Sequence, residues 1–294
     1  MDSLDFFLMK KLMENCRLTF RELAEMTDLS VSAVHKRIKK LEDDNIINAY
    51  IARPSIIALK CLWVTVFGIS KVKSMDLVSK VLGQHENITF VGIGGQKSLY
   101  IYAILRDISE LQELSIYVTK TAQISKPFVG IVNAPYTTTP EPLTSIDYKI
   151  LKTLNKDSRK PITDIADDVG VSAKTVKKKL DRMIKNNLAT FSIQWKPLYG
   201  VSYLTYFSIS LNEGSNIDST IRYLYEKYNQ NIVNCINYSN IPNIITLEIW
   251  TRTAQESQKI QEQLQTEGFK DIVPYIALSG EYYDCWMDQL LRTK

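Results

Sequence analysis

The sequence predicts an α+β fold in which a small helical head and a βαββαβ domain alternate, each occurring twice. Three observations carry that prediction. Residues 3–46 align without a gap on residues 145–188, at a constant offset of 142. Both copies are followed by the same order of β-forming and helical segments. Between them, residues 133–144 hold Pro135, Pro140, Pro142 and a run of threonines, which breaks both periods as a linker does. A repeat takes precedence over local readings, because missing it misassigns the whole fold.

In the first copy Leu4, Leu8 and Leu12 mark helix one, Leu23 with Ala24 helix two, and Val34, Ile38 and Leu41 helix three. That three- and four-residue spacing belongs to helices with one buried face. The second copy keeps the pattern through identities that include Asp5/Asp147, Arg17/Arg159, Ser30/Ser172, Val34/Val176 and Asn45/Asn187. Ser30 and Ser172 stand where an N-cap belongs. Residues 46–51 and 188–195 are rich in β-formers and make a wing, or a strand leading out of the head. Each head is therefore of helix-turn-helix type.

The segments that follow match in pattern rather than identity. Strands are expected at 62–70 and 204–211, helices at 74–83 and 217–228, and strands at 88–92 and 232–238. Strands at 99–105 and 244–250, helices at 109–119 and 254–266, and closing strands at 128–132 and 272–278 complete both copies. The order is that of the ferredoxin-like split βαβ unit. The expected domains are a head at 1–55, a ferredoxin-like domain at 56–132, the linker at 133–144, a second head at 145–196, a second ferredoxin-like domain at 197–280 and a C-terminal helix at 281–294. In that helix Tyr283, Trp286, Met287 and Leu290 share one face with no evident partner in the chain, so it is expected to extend a dimer interface.

Composition narrows the function classes. With 45% hydrophobic and 23% charged residues, the chain can bury sizeable cores and carries no signature of disorder. The longest apolar stretch, 56–69, is broken by Lys60 and is too short to cross a bilayer. Residues 1–7 carry two aspartates and no basic cluster, unlike a signal peptide, so a cytoplasmic location is expected. The four cysteines form no CxxC pair, and only His35 and His85 could join them. Neither a metal site, a disulfide framework nor a cofactor is expected.

Charge is uneven between the heads. Residues 145–196 hold 12 Lys/Arg against 6 Asp, whereas residues 1–53 balance nine against nine. In the first head the basic charge is local: Lys36, Arg37, Lys39 and Lys40 crowd helix three. With Val34, Ile38 and Leu41 inward, Ser32, Ala33, His35, Lys36 and Lys39 face solvent. The second copy turns out Lys174, Thr175, Lys177, Lys178 and Asp181.

Residues 29–42, Leu-Ser-Val-Ser-Ala-Val-His-Lys-Arg-Ile-Lys-Lys-Leu-Glu, with Asn45-Ile46-Ile47 after them, resemble the signature of the Lrp/AsnC (leucine-responsive/asparagine regulator) family of prokaryotic transcription factors. That family shows Leu-Ser, a Val, an Arg-Ile pair, Leu-Glu and a Gly-Val-Ile ending. Asn45 replaces the glycine, and Asn also accepts the left-handed cap conformation. The resemblance covers the chain twice, as a tandem-duplicated form. It implies two winged helix-turn-helix domains alternating with two ferredoxin-like, RAM-type domains. It further implies double-stranded DNA as partner, a homodimer or higher oligomer through the ferredoxin-like domains, a small-molecule effector and no membrane. On this reading Ser32, Ala33, Lys36, Lys174, Thr175 and Lys178 lie near bases, Arg37, Lys40, Lys177 and Arg182 nearer the DNA backbone, and His35 on the DNA-facing helix beside them.

The same resemblance places an effector near the turn between the second and third strands, here Gly95 and Ser98 in one copy and Ser239 and Asn243 in the other. The family's acid at this turn is replaced by Ser98 and Asn243, so the carboxylate that would meet an amino group is missing. Two rival functions stay open. One is a non-specific architectural DNA-binding protein, for which cations alone suffice. The other is an enzyme resembling siroheme decarboxylases, which share the architecture. That reading needs a cluster of His, Tyr and Arg that the sequence does not display, and the expectation is a protein without enzymatic activity.

Overall fold

The structure, a computed structural model, describes residues 1–133, 141–196 and 202–294. Head one comprises α1 (Ser3–Glu14), α2 (Phe20–Glu25), α3 (Val31–Asp43) and β1 (Ile47–Pro54), followed by the one-turn helix α4 (Ile56–Leu59). The first sheet domain runs β2 (Leu62–Ile69), α5 (Met75–Leu82), β3 (Ile88–Gly94), β4 (Ser98–Leu105), α6 (Leu111–Ala122) and β5 (Phe128–Ile131). Head two comprises α7 (Ser145–Leu154), α8 (Ile162–Val169), α9 (Ala173–Lys185) and β6 (Ala189–Trp195). The second sheet domain runs β7 (Tyr203–Ser210), α10 (Ile217–Tyr228), β8 (Ile232–Asn237), β9 (Ile244–Thr251), α11 (Ala254–Gln265) and β10 (Asp271–Tyr282), and α12 (Trp286–Thr293) ends the chain. Residues 134–140, most of the expected linker, lie outside the described residues. The rest forms two compact units, the heads with α12 and the paired sheet domains.

In the head unit the repeat holds at the level of backbone angles. Ser30 and Ser172 cap α3 and α9, accepting from Ala33 N at 3.2 Å and Thr175 N at 3.1 Å. Asn45 and Asn187 both adopt the left-handed region, with φ of 54° and 50°, so asparagine does here what the family's glycine does. β1 and β6 do not fold back on their own heads. They pair with each other, antiparallel, as a two-stranded ribbon with Tyr50 opposite Ile193 and Ile51 opposite Ser192. Each pair maps onto the other through the repeat, so the ribbon has an internal two-fold axis, as a homodimer's isologous contact would.

The tail departs from expectation. α12 packs on α7 and β1, and Trp286, Met287 and Leu291 are buried, so its apolar face has a partner within the chain. The feature that escaped the periodicity is polar. Asp288, on the same inward side, meets Arg53 with Oδ1–Nε at 2.8 Å and Oδ2–Nη2 at 2.8 Å.

In the sheet unit each half has the ferredoxin-like strand order, β5-β2-β4-β3 and β10-β7-β9-β8, and the halves join into eight antiparallel strands. β10 is longer than its sequence suggests, because it serves both halves. Residues 271–276 pair with β7, and residues 277–282 continue along β3. Gly280 permits this, since a Cβ there would stand 2.5 Å from the Phe90 ring. At the other seam Val132 bridges Tyr238, and the Asn240 side chain accepts from Ile131 N at 2.8 Å and donates to Val129 O at 2.9 Å. The end strands β5 and β8 thus meet. One face of each half-sheet packs its own helices around a Val/Ile/Leu core. The opposite faces meet each other through aromatics, with Tyr100 stacked on Tyr206 at 4.0 Å and Phe67 against Tyr275 at 4.6 Å.

Candidate nucleic-acid interface

Both third helices bury the faces expected of them. Val34, Ile38 and Leu41 are buried on α3, and Val176, Leu180 and Met183 on α9. This burial aims the opposite face outward. Ser32, His35, Lys36 and Lys40 are exposed on α3, as are Lys174, Lys177 and Lys178 on α9, while Ala33 and Thr175 are half-exposed. Among the described residues no ion pair holds Lys36, Lys40, Lys174, Lys177 or Lys178, which leaves their charge available to an anion. Lys39 is spent locally, on Asp43 at 2.9 Å.

Arg37 and Arg182, expected nearer the DNA backbone, are turned inward instead. Arg37 Nη1 lies 2.7 Å from Asp5 of α1, and Arg182 Nη2 lies 2.6 Å from Asp147 of α7. Asp147, fully buried, also faces Lys179 at 3.4 Å, and Arg182 reaches Glu141 at 2.8 Å. These guanidiniums fix the third helix on the first. The carboxylates that draw them in are the repeat identity Asp5/Asp147, a signal present in the sequence and not used there.

A second identity, Arg17/Arg159, joins the heads. Arg17 Nη1 donates to Ser158 O at 2.6 Å, and Arg159 Nη1 donates to Cys16 O at 3.0 Å. The repeat carries one bond onto the other. The Arg159 guanidinium also covers the Phe20 ring at 4.8 Å and the Tyr50 ring at 5.4 Å, and Phe20 meets His35 edge-on at 4.9 Å. A cation of head two therefore supports the third helix of head one.

The effector candidates sit on turns of different half-sheets. Gly95 is half-exposed, and Ser98 is buried with its hydroxyl donating to Gly95 O at 2.9 Å. Ser239 donates its hydroxyl to Ile131 O at 3.3 Å, and Asn243 is exposed. Between the facing sheets, Thr65, Phe67, Tyr100, Phe128, Ser208, Tyr238 and Thr246 line a cavity of about 30 Å³, which is room for a water molecule rather than a metabolite. His85 belongs to a turn, its Nδ1 accepting from Asn87 N at 3.2 Å beside the Tyr117 ring. His35 lies in the other unit, on α3. No helix among the described residues is long and apolar enough to cross a membrane.

Residues 1–48 match the profile of a winged helix-turn-helix DNA-binding domain, and residues 143–184 match that of an AsnC-type helix-turn-helix domain. The chain is 32% identical over 116 residues to an uncharacterized HTH-type transcriptional regulator of Pyrococcus furiosus, covering 78% of that protein and 38% of this chain. The chain belongs to the Lrp/AsnC family. To LrpA of Mycobacterium tuberculosis, another HTH-type transcriptional regulator, it is 25% identical over 139 residues, which cover 93% of LrpA and 46% of the chain. This Lrp/AsnC member is a transcriptional regulator with helix-turn-helix DNA-binding domains in both halves. Its two-fold build has a structural parallel in the siroheme decarboxylase NirDL, with a TM-score of 0.62 at 13% identity, covering 99% of this chain and 98% of that one. At that identity the parallel concerns the fold.

Proposed function

We propose that this chain is a sequence-specific regulator whose two heads form a covalent pseudo-dimer, each laying its third helix in the major groove of one half-site. The observation that carries the reading is the two-fold ribbon, Tyr50 opposite Ile193 and Ile51 opposite Ser192. Two helix-turn-helix heads related by a two-fold axis suit half-sites one helical turn apart, about 34 Å. Because α3 and α9 differ in sequence, the half-sites differ too. Ser32, Ala33, His35, Lys36, Lys174, Thr175 and Lys178 face bases, with Lys40 and Lys177 on phosphates. A small-molecule effector acts at the Gly95–Ser98 and Ser239–Asn243 turns of the sheet unit, which has no catalytic task.

The test is binding of the purified chain to its own upstream DNA beside random DNA of equal length, at physiological salt. The expected result is preference for the upstream DNA, with an asymmetric footprint spanning two half-sites, and loss of preference in a Lys36→Ala/Lys178→Ala variant. Equal binding to both DNAs with a steep salt dependence would make the protein architectural. A perfectly palindromic footprint, or protection by one head alone, would end the pseudo-dimer reading.

A further inference from the structure

We infer that the two heads read different base chemistry: head one recognises thymine methyl groups through an apolar patch of Met26, Val31 and Ala33, and head two recognises guanine edges through lysine. This rests on the reading of both third helices as major-groove elements. Met26 closes α2, and Val31 opens α3, flanking the turn of the helix-turn-helix. Both are large apolar side chains left in water, 48% and 47% exposed, where the other large apolar residues of their head are buried or half-buried. Ala33, half-exposed, follows on the outer side of the same helix start.

What surrounds the patch identifies its occupant. Lys36 and Lys40 are exposed on α3 and suit a polyanion with apolar groups on its surface, rather than an apolar protein face. In the major groove the thymine 5-methyl is the apolar group that a base edge offers, and small aliphatic side chains are its usual partners. The repeat supplies an internal control. At the positions of Met26, Val31, Ser32, Ala33 and His35, head two carries Asp168, Ala173, Lys174, Thr175 and Lys177. Asp168 is turned to Lys160, and Lys174 and Lys177 stand exposed. Head two thus has an acid, a smaller alanine and a threonine where head one has Met26, Val31 and Ala33, and lysines where head one has Ser32 and His35; lysine is a donor suited to the O6 and N7 acceptors of guanine.

The experiment uses the full chain and three duplexes of about 30 base pairs, three helical turns: alternating A–T, alternating A–U and alternating G–C. A–U lacks only the methyl groups. Wild type should bind A–T at least about fourfold tighter than A–U, the worth of one buried methyl. Met26→Gln/Val31→Ser should bind A–T and A–U alike while keeping its affinity for G–C. Lys174→Ala should lose affinity for G–C and keep the A–T over A–U ratio. Equal wild-type affinity for A–T and A–U, or a preference that survives in the Met26→Gln/Val31→Ser variant, would overturn the inference and assign the patch to another occupant, such as a protein. Binding to none of the three duplexes would remove the DNA reading itself, and the inference with it.

Discussion

Glu248 is a carboxyl held in an environment unlike its ordinary one. It is buried on the inner face of β9, where it accepts from the Tyr102 hydroxyl and from Asn234 Nδ2 at 2.7 Å. Burial raises its pKa, and the two hydrogen bonds pull the other way without cancelling that effect. Below the ordinary carboxylate value of 4.5 the folded and unfolded chains both hold the proton. Above it the unfolded chain releases the proton first, so stability falls with rising pH until the folded carboxyl also ionises, at about 1.4 kcal/mol per unit of displacement. Unfolding of wild type and Glu248→Gln should therefore diverge as pH rises from 4.5, with the variant the more stable at neutral pH; parallel profiles would show that the site is solvated. Asp288 is a carboxylate with a cation for a partner, nearly fully buried against Arg53, itself at 11% side-chain exposure. Asp288→Ala leaves that guanidinium buried alone and should cost about 3–5 kcal/mol in urea unfolding. The exposed pair Lys39–Asp43 should contribute far less, because water and salt screen it. Neither Glu248 nor Asp288 announces itself in the sequence, since burial of an acid depends on a partner far along the chain: Tyr102 for one, Arg53 for the other.

At the scale of elements, the heads were legible because a gapless repeat constrains each helix twice. Val34/Val176 and Ser30/Ser172 mark the same inner face and the same cap. What the repeat could not say is which strand pairs with which. β1 and β6 each look like a local wing, and only the fold shows them joined across the two heads. The sheet domains were legible in order but not in extent: β10 reads as one strand of one domain ending at residue 278, and Gly280, beyond that end, is where it passes beneath Phe90 of the other half. The ribbon and the arginine latch act as one element, so their energetics should be coupled. Arg17→Ala and Arg159→Ala each remove a charged donor from a carbonyl of the opposite head, worth about 1.5–3 kcal/mol. Their double variant should depart from additivity by at least about 0.5 kcal/mol, because both close the same interface. Strict additivity in urea unfolding would mean that the two arginines serve their own heads independently.

For the whole molecule, the dependence on salt is set by which lysines reach phosphates rather than by the total charge of each head. Each phosphate neutralised by a lysine contributes about −0.9 to the slope of log K against log salt. Lys174, Lys177 and Lys178 of head two are exposed and unengaged among the described residues, as are Lys36 and Lys40 of head one. Arg37, Arg182 and Lys39 are held by carboxylates and should contribute little. Replacing Lys177 or Lys40, the two placed on phosphates, with alanine should make the slope shallower by about 0.9 each, and replacing the base-facing Lys36, Lys174 or Lys178 should change it less. Arg182→Gln should leave the slope unchanged and lower thermal stability, since its guanidinium serves Asp147 rather than a phosphate. Titrations of one duplex at several salt concentrations measure all of these. A slope that falls equally for Arg182→Gln and Lys177→Ala would mean that the ion pair with Asp147 opens on DNA, and that the helix is repositioned when it binds.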